Sequence, residues 1–141
     1  MKKGIDYIGV AVGAMIFNDK DELFLSKRSK NCKNERGCWE IPGGGVNFNE
    51  KLSDAIIREM KEEYGIDIII IQQYPAFDHI LTDEKQHWVP STFLARLKQN
   101  QMPVIMEPEK CDEIGWFQLD KLPSPLSKIT ILDLNYYKNL K

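Results

Sequence analysis

The chain has few of the residues that mark several common classes of protein. Its only cysteines are Cys32, Cys38 and Cys111, and no two of them have the spacing of a zinc knuckle or a dithiol redox motif. Their number is odd, so a disulfide scaffold is not indicated, and free thiols suit a reducing cytoplasm. With only His79 and His87 as histidines, the sequence does not favour a histidine-rich zinc site.

Charge and hydropathy exclude further classes. A net charge of −2 gives no sign of a nucleic-acid surface or of a polybasic patch for a membrane. No run reaches the ~20 apolar residues that span a bilayer. Lys2 and Lys3 precede an apolar run at 8–17, as in a signal peptide, but Asp6 interrupts the pattern and no clear cleavage site follows. We therefore predict a first core strand there, and a cytoplasmic protein with no nucleic-acid or membrane partner.

Length and composition predict one domain. A chain of 141 residues is long enough to bury a core of its own. Its hydrophobic fraction of 43% and charged fraction of 28% are ordinary for a soluble globular protein. No internal repeat, low-complexity tract or linker divides the sequence. We therefore expect residues 1–141 to form a single domain.

Apolar patterning predicts more strand than helix. The predicted strands are 7–17, 23–27, 39–41, 66–77, 86–97 and 114–119. The turn at 18–21 joins the first two strands into a hairpin, and 78–85 is a second turn. Residues 126–140 predict a terminal helix in addition to one in the middle of the chain. The pattern is typical of an α+β protein with a mixed sheet between helices.

The most informative stretch is 44–66. It reads Gly44, five residues, Glu50, seven residues, and then Arg58-Glu59-Met60-x-Glu62-Glu63-x-Gly65-Ile66. Asn49 is a good helix N-cap, and Glu50 would lie at the positive end of the helix that follows. Gly65 suits the C-terminal stop, and no proline intervenes. The spacing therefore predicts a helix through this stretch.

The predicted helix has an apolar face and an acidic face. The apolar face comprises Leu52, Ile56, Ile57, Met60 and Tyr64. Glu59, Glu62 and Glu63 stand at i, i+3 and i+4, where like charges cost about 0.2–0.5 kcal/mol per pair. They also lie near the helix C-terminus, where the dipole disfavours anions. Stability alone does not favour this arrangement, but hard oxygen donors on one face suit Mg²⁺ or Mn²⁺.

A glycine run precedes the predicted helix. Residues Pro42-Gly43-Gly44-Gly45 let a phosphate or a metal approach the backbone closely. Together with Arg58 and the glutamates, these glycines match every fixed position of the Nudix box. The chain resembles the Nudix hydrolases, which use a divalent metal to cut a phosphoanhydride in a nucleoside diphosphate linked to another group. The resemblance implies an α/β/α sandwich with a mixed sheet. A bare Glu-Glu pair without this register would indicate only a solvated helix face.

The resemblance also implies roles for residues of the box. Glu59, Glu62 and Glu63 are expected to bind Mg²⁺, with Mn²⁺ as the alternative metal. The Gly43 carbonyl is a further expected ligand, and Gly43 and Gly44 are expected to adjoin the substrate. Glu59 is a candidate to deprotonate or orient the attacking water, and Arg58 and Glu62 complete the predicted catalytic group. Arg58 is expected to hold a carboxylate, as an intrahelical partner of Glu62, rather than to touch substrate.

Outside the box the sequence signals are weaker. In similar Nudix proteins an arginine at the position of Arg28 faces the substrate phosphates, and a surface cation at a strand end is the alternative. Residues 107–123 look like the later part of MutT-type nucleoside triphosphate pyrophosphohydrolases, in which a loop carboxylate can reach the metals. Glu109 is the first candidate for that carboxylate and for an alternative general base, and Glu113 is the second. A solvated loop glutamate is the other interpretation.

Several aromatic residues are candidates to stack on a nucleobase. They are Trp39, Phe93, Trp116 and Phe117. Aromatic residues at strand positions are more often part of the core, so each has that alternative.

Three functions are weighed. The first is a Mg²⁺-dependent pyrophosphohydrolase that cleaves nucleoside triphosphates to a nucleoside monophosphate and pyrophosphate. The second is an ADP-ribose or nucleoside-diphosphate-sugar pyrophosphatase, although the proline that often follows the box in ADP-ribose enzymes is absent at 81–84. The third is a non-catalytic nucleotide-sensing Nudix domain, which the intact carboxylates disfavour. Homodimers are frequent among similar proteins, and no sequence feature decides the oligomeric state.

Overall fold

Eight strands and two helices follow one another along residues 1–140, the part of the chain that the computed structural model describes. The elements are β1 Gly9–Phe17, β2 Leu23–Arg28, β3 Trp39–Glu40, β4 Gly43–Gly45, α1 Leu52–Tyr64, β5 Ile68–Gln73, β6 His79–Leu81, β7 Gln86–Leu97, β8 Cys111–Phe117 and α2 Lys128–Asn139. Within these residues, neither helix has the length and apolar character needed to cross a membrane.

The strands form one mixed sheet. Its main order is β3-β2-β1-β7-β5, with β4 paired to β1, β6 to β7 and β8 to β2. The central pair, β1 and β7, is parallel from Gly9↔Trp88 to Phe17↔Arg96. The remaining pairs are antiparallel. The mixed sheet predicted from the sequence is therefore confirmed.

Side chains alternate across β1 and build one core on each face of the sheet. Ala14 and Ile16 pack with Met60 of α1 in the first core. Met15 packs with Leu134 of α2 in the second core. This is the period-2 alternation expected of a strand that is buried on both faces. The sheet therefore lies between the two helices, which confirms the expected α/β/α sandwich.

The start of α1 differs from the sequence prediction. The N-cap position is Lys51, not Asn49, and its side chain makes no capping hydrogen bond. Asn49 instead adopts a left-handed turn conformation, with φ 68°. Glu50 stays outside the helix because its carboxylate accepts hydrogen bonds from Arg58 and from the Asn47 amide. The sequence prediction for the N-cap was therefore wrong.

The apolar face of α1 is narrower than predicted. Ile56 and Met60 are fully buried, whereas Ile57 is 40% exposed. Successive helical residues lie about 100° apart, so the neighbour of a buried Ile56 points away from the sheet. At the other end, Gly65 ends the helix in a left-handed conformation with φ 66°, which confirms the predicted stop.

Several strand boundaries also differ from the predictions. The strand predicted at 66–77 is shorter and spans Ile68–Gln73, with a register shift between Ile70 and Gln72 inside its pairing with β7. The predicted turn at 78–85 contains the short strand β6. The strand predicted at 114–119 instead spans Cys111–Phe117, and the terminal helix begins at Lys128 after a cap at Ser127.

Candidate active site

The glycine run and α1 meet at Glu59. Strand β4 pairs with β1 through Val12↔Gly44 and Gly13↔Gly43. A Cβ atom added at Gly44 would collide with the Glu59 carboxyl group, and one added at Gly43 would collide with the Val12 carbonyl oxygen. The Glu59 side chain is only 13% exposed. The two glycines therefore allow the sheet backbone to lie directly against a nearly buried carboxylate.

Arg58 connects the glycine run to the acidic residues. Its guanidinium donates to Glu50 at 2.6 and 2.9 Å, to Glu59 Oε1 at 3.0 Å and to Glu62 Oε2 at 3.1 Å. It also donates to the Gly45 carbonyl oxygen at 3.0 Å. Hydrogen bonds from Arg58 lower the pKa of Glu50 to about 2 and keep it ionised. The predicted contact with Glu62 is present, and Arg58 fixes three carboxylates at once.

Glu59, Glu62 and Glu63 have different surroundings. Glu62 is 55% exposed and turns toward Arg58. Glu63 is half-buried; burial, followed by the charges of Glu59 and Glu107, raises the pKa of Glu63. Within residues 1–140 no three acidic, histidine or cysteine side chains already converge closely enough to complete a metal site. Two crowded carboxylates beside the Gly43 backbone nevertheless form a hard-oxygen donor set, whose repulsion a divalent cation would relieve.

Two adjoining cavities open near these carboxylates; Glu63 lines the first, and Glu59, within the described part of the chain, is among the lining residues of neither. The first, of about 410 Å³ and called the charged cavity below, is lined mainly by polar and charged side chains, among them Arg28, Lys33, Glu63, Glu107, Glu109 and Lys110. The second, of about 330 Å³, is bounded by apolar side chains that include Ile41, Leu81 and Trp88. Arg28, Glu40 and Gly43 line both cavities. Both volumes are in the usual range for small-molecule sites, and the pair suits a ligand with a charged part and a ring.

Arg28 lines both cavities, a position from which it could contact substrate as predicted. Its guanidinium is already engaged, since Nε and Nη2 donate to the main chain and side chain of Asn34 at 3.1 and 2.8 Å. Nη1 lies 3.2 Å from Glu40 Oε2. Burial raises the pKa of Glu40 to about 7 although Arg28 opposes the shift. Arg28 therefore holds the 31–37 loop and Glu40 in place, and its contact with substrate stays a prediction.

The structure separates the two loop carboxylates proposed from the sequence. Glu109 lines the charged cavity, and its main-chain carbonyl accepts a hydrogen bond from Ser29 at 2.7 Å. Glu113 lies on β8 opposite Lys27 and is not among the residues that line either cavity within 1–140. Glu113 is therefore a poor candidate, because its strand carries it past the end of the cavity.

Glu107 is a site residue that sequence reasoning missed. Met106 donates its amide hydrogen to the Glu63 carbonyl at 3.0 Å, which brings Glu107 next to the C-terminal end of α1. Glu107 lines the charged cavity. Its charge contributes to the raised pKa of Glu63. The only sequence signal was its spacing from Glu109, which does not distinguish the two residues.

The aromatic residues proposed for base stacking belong to the cores. Trp39 and Phe93 are buried, at 7% and 1% exposure. Trp116 packs on Phe24 with ring centres 5.2 Å apart, and Phe117 packs edge-on against Trp39 at 5.1 Å. The core alternative is therefore correct for all four. The aromatic ring that does line the second cavity is Trp88, whose indole donates to Gln86 at 2.9 Å.

An acidic helix that crosses a glycine strand beside a charged cavity forms a site suited to a divalent cation and a phosphate chain. The model of the NUDIX domain matches residues 8–140 of this sequence. The chain therefore belongs to the NUDIX domain family.

Solved structures of the family superpose on most of the chain. A MutT NUDIX hydrolase from Burkholderia pseudomallei is 35% identical, with a TM-score of 0.78 over 91% of this chain and 96% of that one. A MutT protein from Methanosarcina mazei Go1 is 25% identical, with a TM-score of 0.77 over 95% of this chain and 96% of that one. The fold is therefore that of MutT-type NUDIX proteins.

Curated relatives carry different substrate names. An RNA pyrophosphohydrolase of Ruthia magnifica subsp. Calyptogena magnifica is 32% identical over 77% of this chain and 51% of its own length. The 8-oxo-dGDP phosphatase NUDT18 of Danio rerio is 30% identical over 95% of this chain and 38% of its own length. This chain thus spans about half, or less, of the length of these two curated relatives.

Proposed function

We propose that the protein is a Mg²⁺-dependent pyrophosphohydrolase that cleaves nucleoside triphosphates to a nucleoside monophosphate and pyrophosphate. The observation that carries this proposal is the packing of the Glu59 carboxylate on Gly44, beside the half-buried Glu63. Membership of the NUDIX family and the likeness to MutT structures support hydrolysis of a phosphoanhydride bond. Mn²⁺ is the alternative cation, because it accepts the same oxygen donors.

Each proposed residue has a separate task. A bound Mg²⁺ would activate water and stabilise charge on the phosphates. Glu59, Glu63 and the Gly43 carbonyl would hold the cation. Arg58 occupies Glu59 Oε1, which leaves Oε2 for the cation or for a proton of the attacking water. Glu62 acts through Arg58. Glu109 and Glu107 both line the cavity and remain alternatives for the general base.

Other phosphoanhydride substrates would suit the same carboxylates. An ADP-ribose or nucleoside-diphosphate-sugar pyrophosphatase would use the same carboxylates, with the sugar in the second cavity. The names of the relatives add an RNA 5′ end and an oxidised guanosine diphosphate as further phosphoanhydride substrates. The absence of a nucleic-acid partner therefore stays a prediction, as do the single domain, a homodimer and a cytoplasmic location. A nucleotide sensor without catalysis is the non-enzymatic alternative.

The test is a substrate panel with two matched variants. Ribo- and deoxyribonucleoside triphosphates, ADP-ribose, nucleotide sugars and a 5′-triphosphate RNA are incubated with Mg²⁺ or with EDTA, and pyrophosphate and phosphate are measured. We expect Mg²⁺-dependent pyrophosphate release from triphosphates, and a loss of about a hundredfold or more in Glu59→Gln. Asp54→Asn removes an exposed carboxylate from the first turn of the same helix and should keep full activity. Turnover of ADP-ribose alone would replace the proposal, and near-normal Glu59→Gln turnover would remove the role of Glu59.

A further inference from the structure

The charged cavity contains three cationic side chains, which differ in their surroundings. Arg28 is engaged by Asn34 and Glu40. Lys33 is exposed on the 31–37 loop. Lys110 also lines the cavity, beside the carboxylates, with its Nζ 3.3 Å from Glu107 Oε1. A polyphosphate in this cavity needs a cation that can leave its protein partner at little cost.

The main chain of Lys110 is fixed in position. Its amide donates to the Glu107 carbonyl at 3.0 Å, and its own carbonyl accepts a hydrogen bond from the Ser29 amide at 3.1 Å. Ser29 is fully buried and follows Arg28 at the end of β2. Its hydroxyl donates to the Glu109 carbonyl at 2.7 Å. The first hydrogen bond closes the 107–110 turn, and the two from Ser29 attach the main chain of Glu109 and Lys110 to the end of β2, next to Arg28.

The ammonium end of Lys110, in contrast, is exposed, and within residues 1–140 its one ion pair is with Glu107. The side chains of Lys110 and Glu107 are 65% and 35% exposed. An ion pair this exposed contributes roughly 0–1 kcal/mol. Lysine presents a compact charge on a flexible stem, so it can change partners without moving the main chain. The negative potential of Glu107, Glu63 and Glu59 holds the ammonium on this side of the cavity, and a bound divalent cation would cancel that potential.

We propose that Lys110 is a polyphosphate-binding residue that exchanges Glu107 for the phosphates of the substrate when a divalent cation occupies the carboxylates. The proposal rests on the proposed function for its ligand, a nucleoside triphosphate. It assigns Lys110 to the phosphates beyond the α-phosphate, because Lys110 lines the charged cavity together with Glu63 and contacts Glu107. Without a cation, Lys110 neutralises the acidic cluster and competes with metal.

Two binding measurements test the proposal without turnover. The first is the Kd of an α,β-methylene nucleoside triphosphate and of the corresponding monophosphate, measured with Mg²⁺ present. Lys110→Met should bind the triphosphate about tenfold more weakly, whereas its affinity for the monophosphate should change less than about twofold. The second is the Kd of Mn²⁺ alone, measured by the paramagnetic resonance of free Mn²⁺. Lys110→Met removes the competing ammonium and should lower the Kd of Mn²⁺ about threefold.

The controls separate this role from a structural one. Lys98→Met removes an exposed lysine that is not among the lining residues of the charged cavity and should change neither Kd, while Lys110→Arg should retain most of the triphosphate affinity. Unchanged triphosphate affinity in Lys110→Met would overturn the proposal, as would equal weakening of monophosphate and triphosphate or weaker Mn²⁺ binding. A protein that binds the methylene analogue but hydrolyses no triphosphate would refute the proposed function and leave Lys110 testable. A wild-type protein that binds no triphosphate would overturn both.

Discussion

The two helices use their polar residues in different ways. Helix α1 begins at Leu52 without a capping side chain, and its charged residues contact one another and the neighbouring glycine run. Helix α2 has Ser127 as its N-cap residue, and the Ser127 hydroxyl donates to Thr130 Oγ1 at 2.8 Å. Its buried polar residues, Thr130 and Asp133, face the sheet at 0% and 3% exposure. One helix therefore presents a charged cluster to a cavity, and the other forms hydrogen bonds inside the protein.

The difference shows how the second helix contributes to the site. Thr130 Oγ1 accepts a hydrogen bond from the Ile41 amide at 3.0 Å, and Thr92 donates to Asp133 at 2.8 Å. Ile41 immediately precedes Pro42 and Gly43, so this bond helps to fix where the glycine run starts. Helix α1 supplies the carboxylates, whereas α2 helps to hold the backbone on which they rest.

The largest expected effect comes from separating Glu59 from the glycine run. In Gly44→Ala the new methyl group would collide with the Glu59 carboxyl group and displace it. The fold should survive because a flexible side chain can move, but displacement of the carboxylate proposed to be catalytic should lower kcat by about a hundredfold. Gly45→Ala is the matched control, because the nearest atom to its Cβ is Lys3 Nζ at 3.7 Å. Steady-state kinetics and thermal unfolding of both variants check this; equal kcat in the two variants would contradict it.

The same contrast explains how much could be predicted from the sequence. The acidic face of α1 and its contact with Arg58 were predicted because they depend on helical spacing within a few residues. Glu107 was missed because its place beside the cavity comes from a hydrogen bond between Met106 and Glu63, which are distant in the sequence. Trp88 was missed because its exposure to a cavity depends on how β6 and β7 pair.

The N-terminal boundary of α1 shows a second reason for error. Asn49 has good capping chemistry, but Arg58 draws Glu50 out of the helix and the chain turns at Asn49. A tertiary ion pair therefore overrides the local propensity. For the fold as a whole, the two cores followed from apolar alternation, which is a local signal. The order of the strands in the sheet was not predicted, because pairing depends on contacts between residues distant in sequence.

The next effect concerns how stability depends on pH, and it tests a single buried residue of α2, Asp133. Burial raises the pKa of Asp133 to about 6. A carboxyl group whose pKa is raised in the folded state stays protonated there while the unfolded chain ionises, so stability falls between about pH 4 and pH 6 and stays lowered above that range. Asp133→Asn can still accept from Thr92 but cannot ionise. The wild-type protein should therefore lose about 2–3 kcal/mol relative to the variant between pH 4 and pH 7.

Urea unfolding of both proteins at several pH values measures this difference directly. Subtracting the two curves removes the contributions of Glu40 and Glu63, whose raised pKa values act in the same direction. If the free energies of unfolding of the two proteins ran parallel from pH 4 to pH 7, Asp133 would ionise normally inside the protein. kcat measured at pH 7 should change little in Asp133→Asn, because Asp133 contacts Thr92 and not the carboxylates of the cavity.

The smallest effect compares the two helix starts. Ser127 accepts a hydrogen bond from the Thr130 amide and is 2% exposed, so Ser127→Ala should lower the free energy of unfolding by about 1 kcal/mol. Lys51 is the N-cap residue of α1 but makes no side-chain capping hydrogen bond. Lys51→Ala should therefore change the free energy of unfolding by less than about 0.5 kcal/mol. Urea unfolding at one pH compares the two variants. Because Ser127 also orients Thr130, whose Oγ1 accepts from Ile41, Ser127→Ala should in addition speed hydrogen exchange at the Ile41 amide. Equal losses of stability in both variants would mean that the two helices are capped alike, and unchanged exchange at Ile41 would show that α2 does not hold the start of the glycine run.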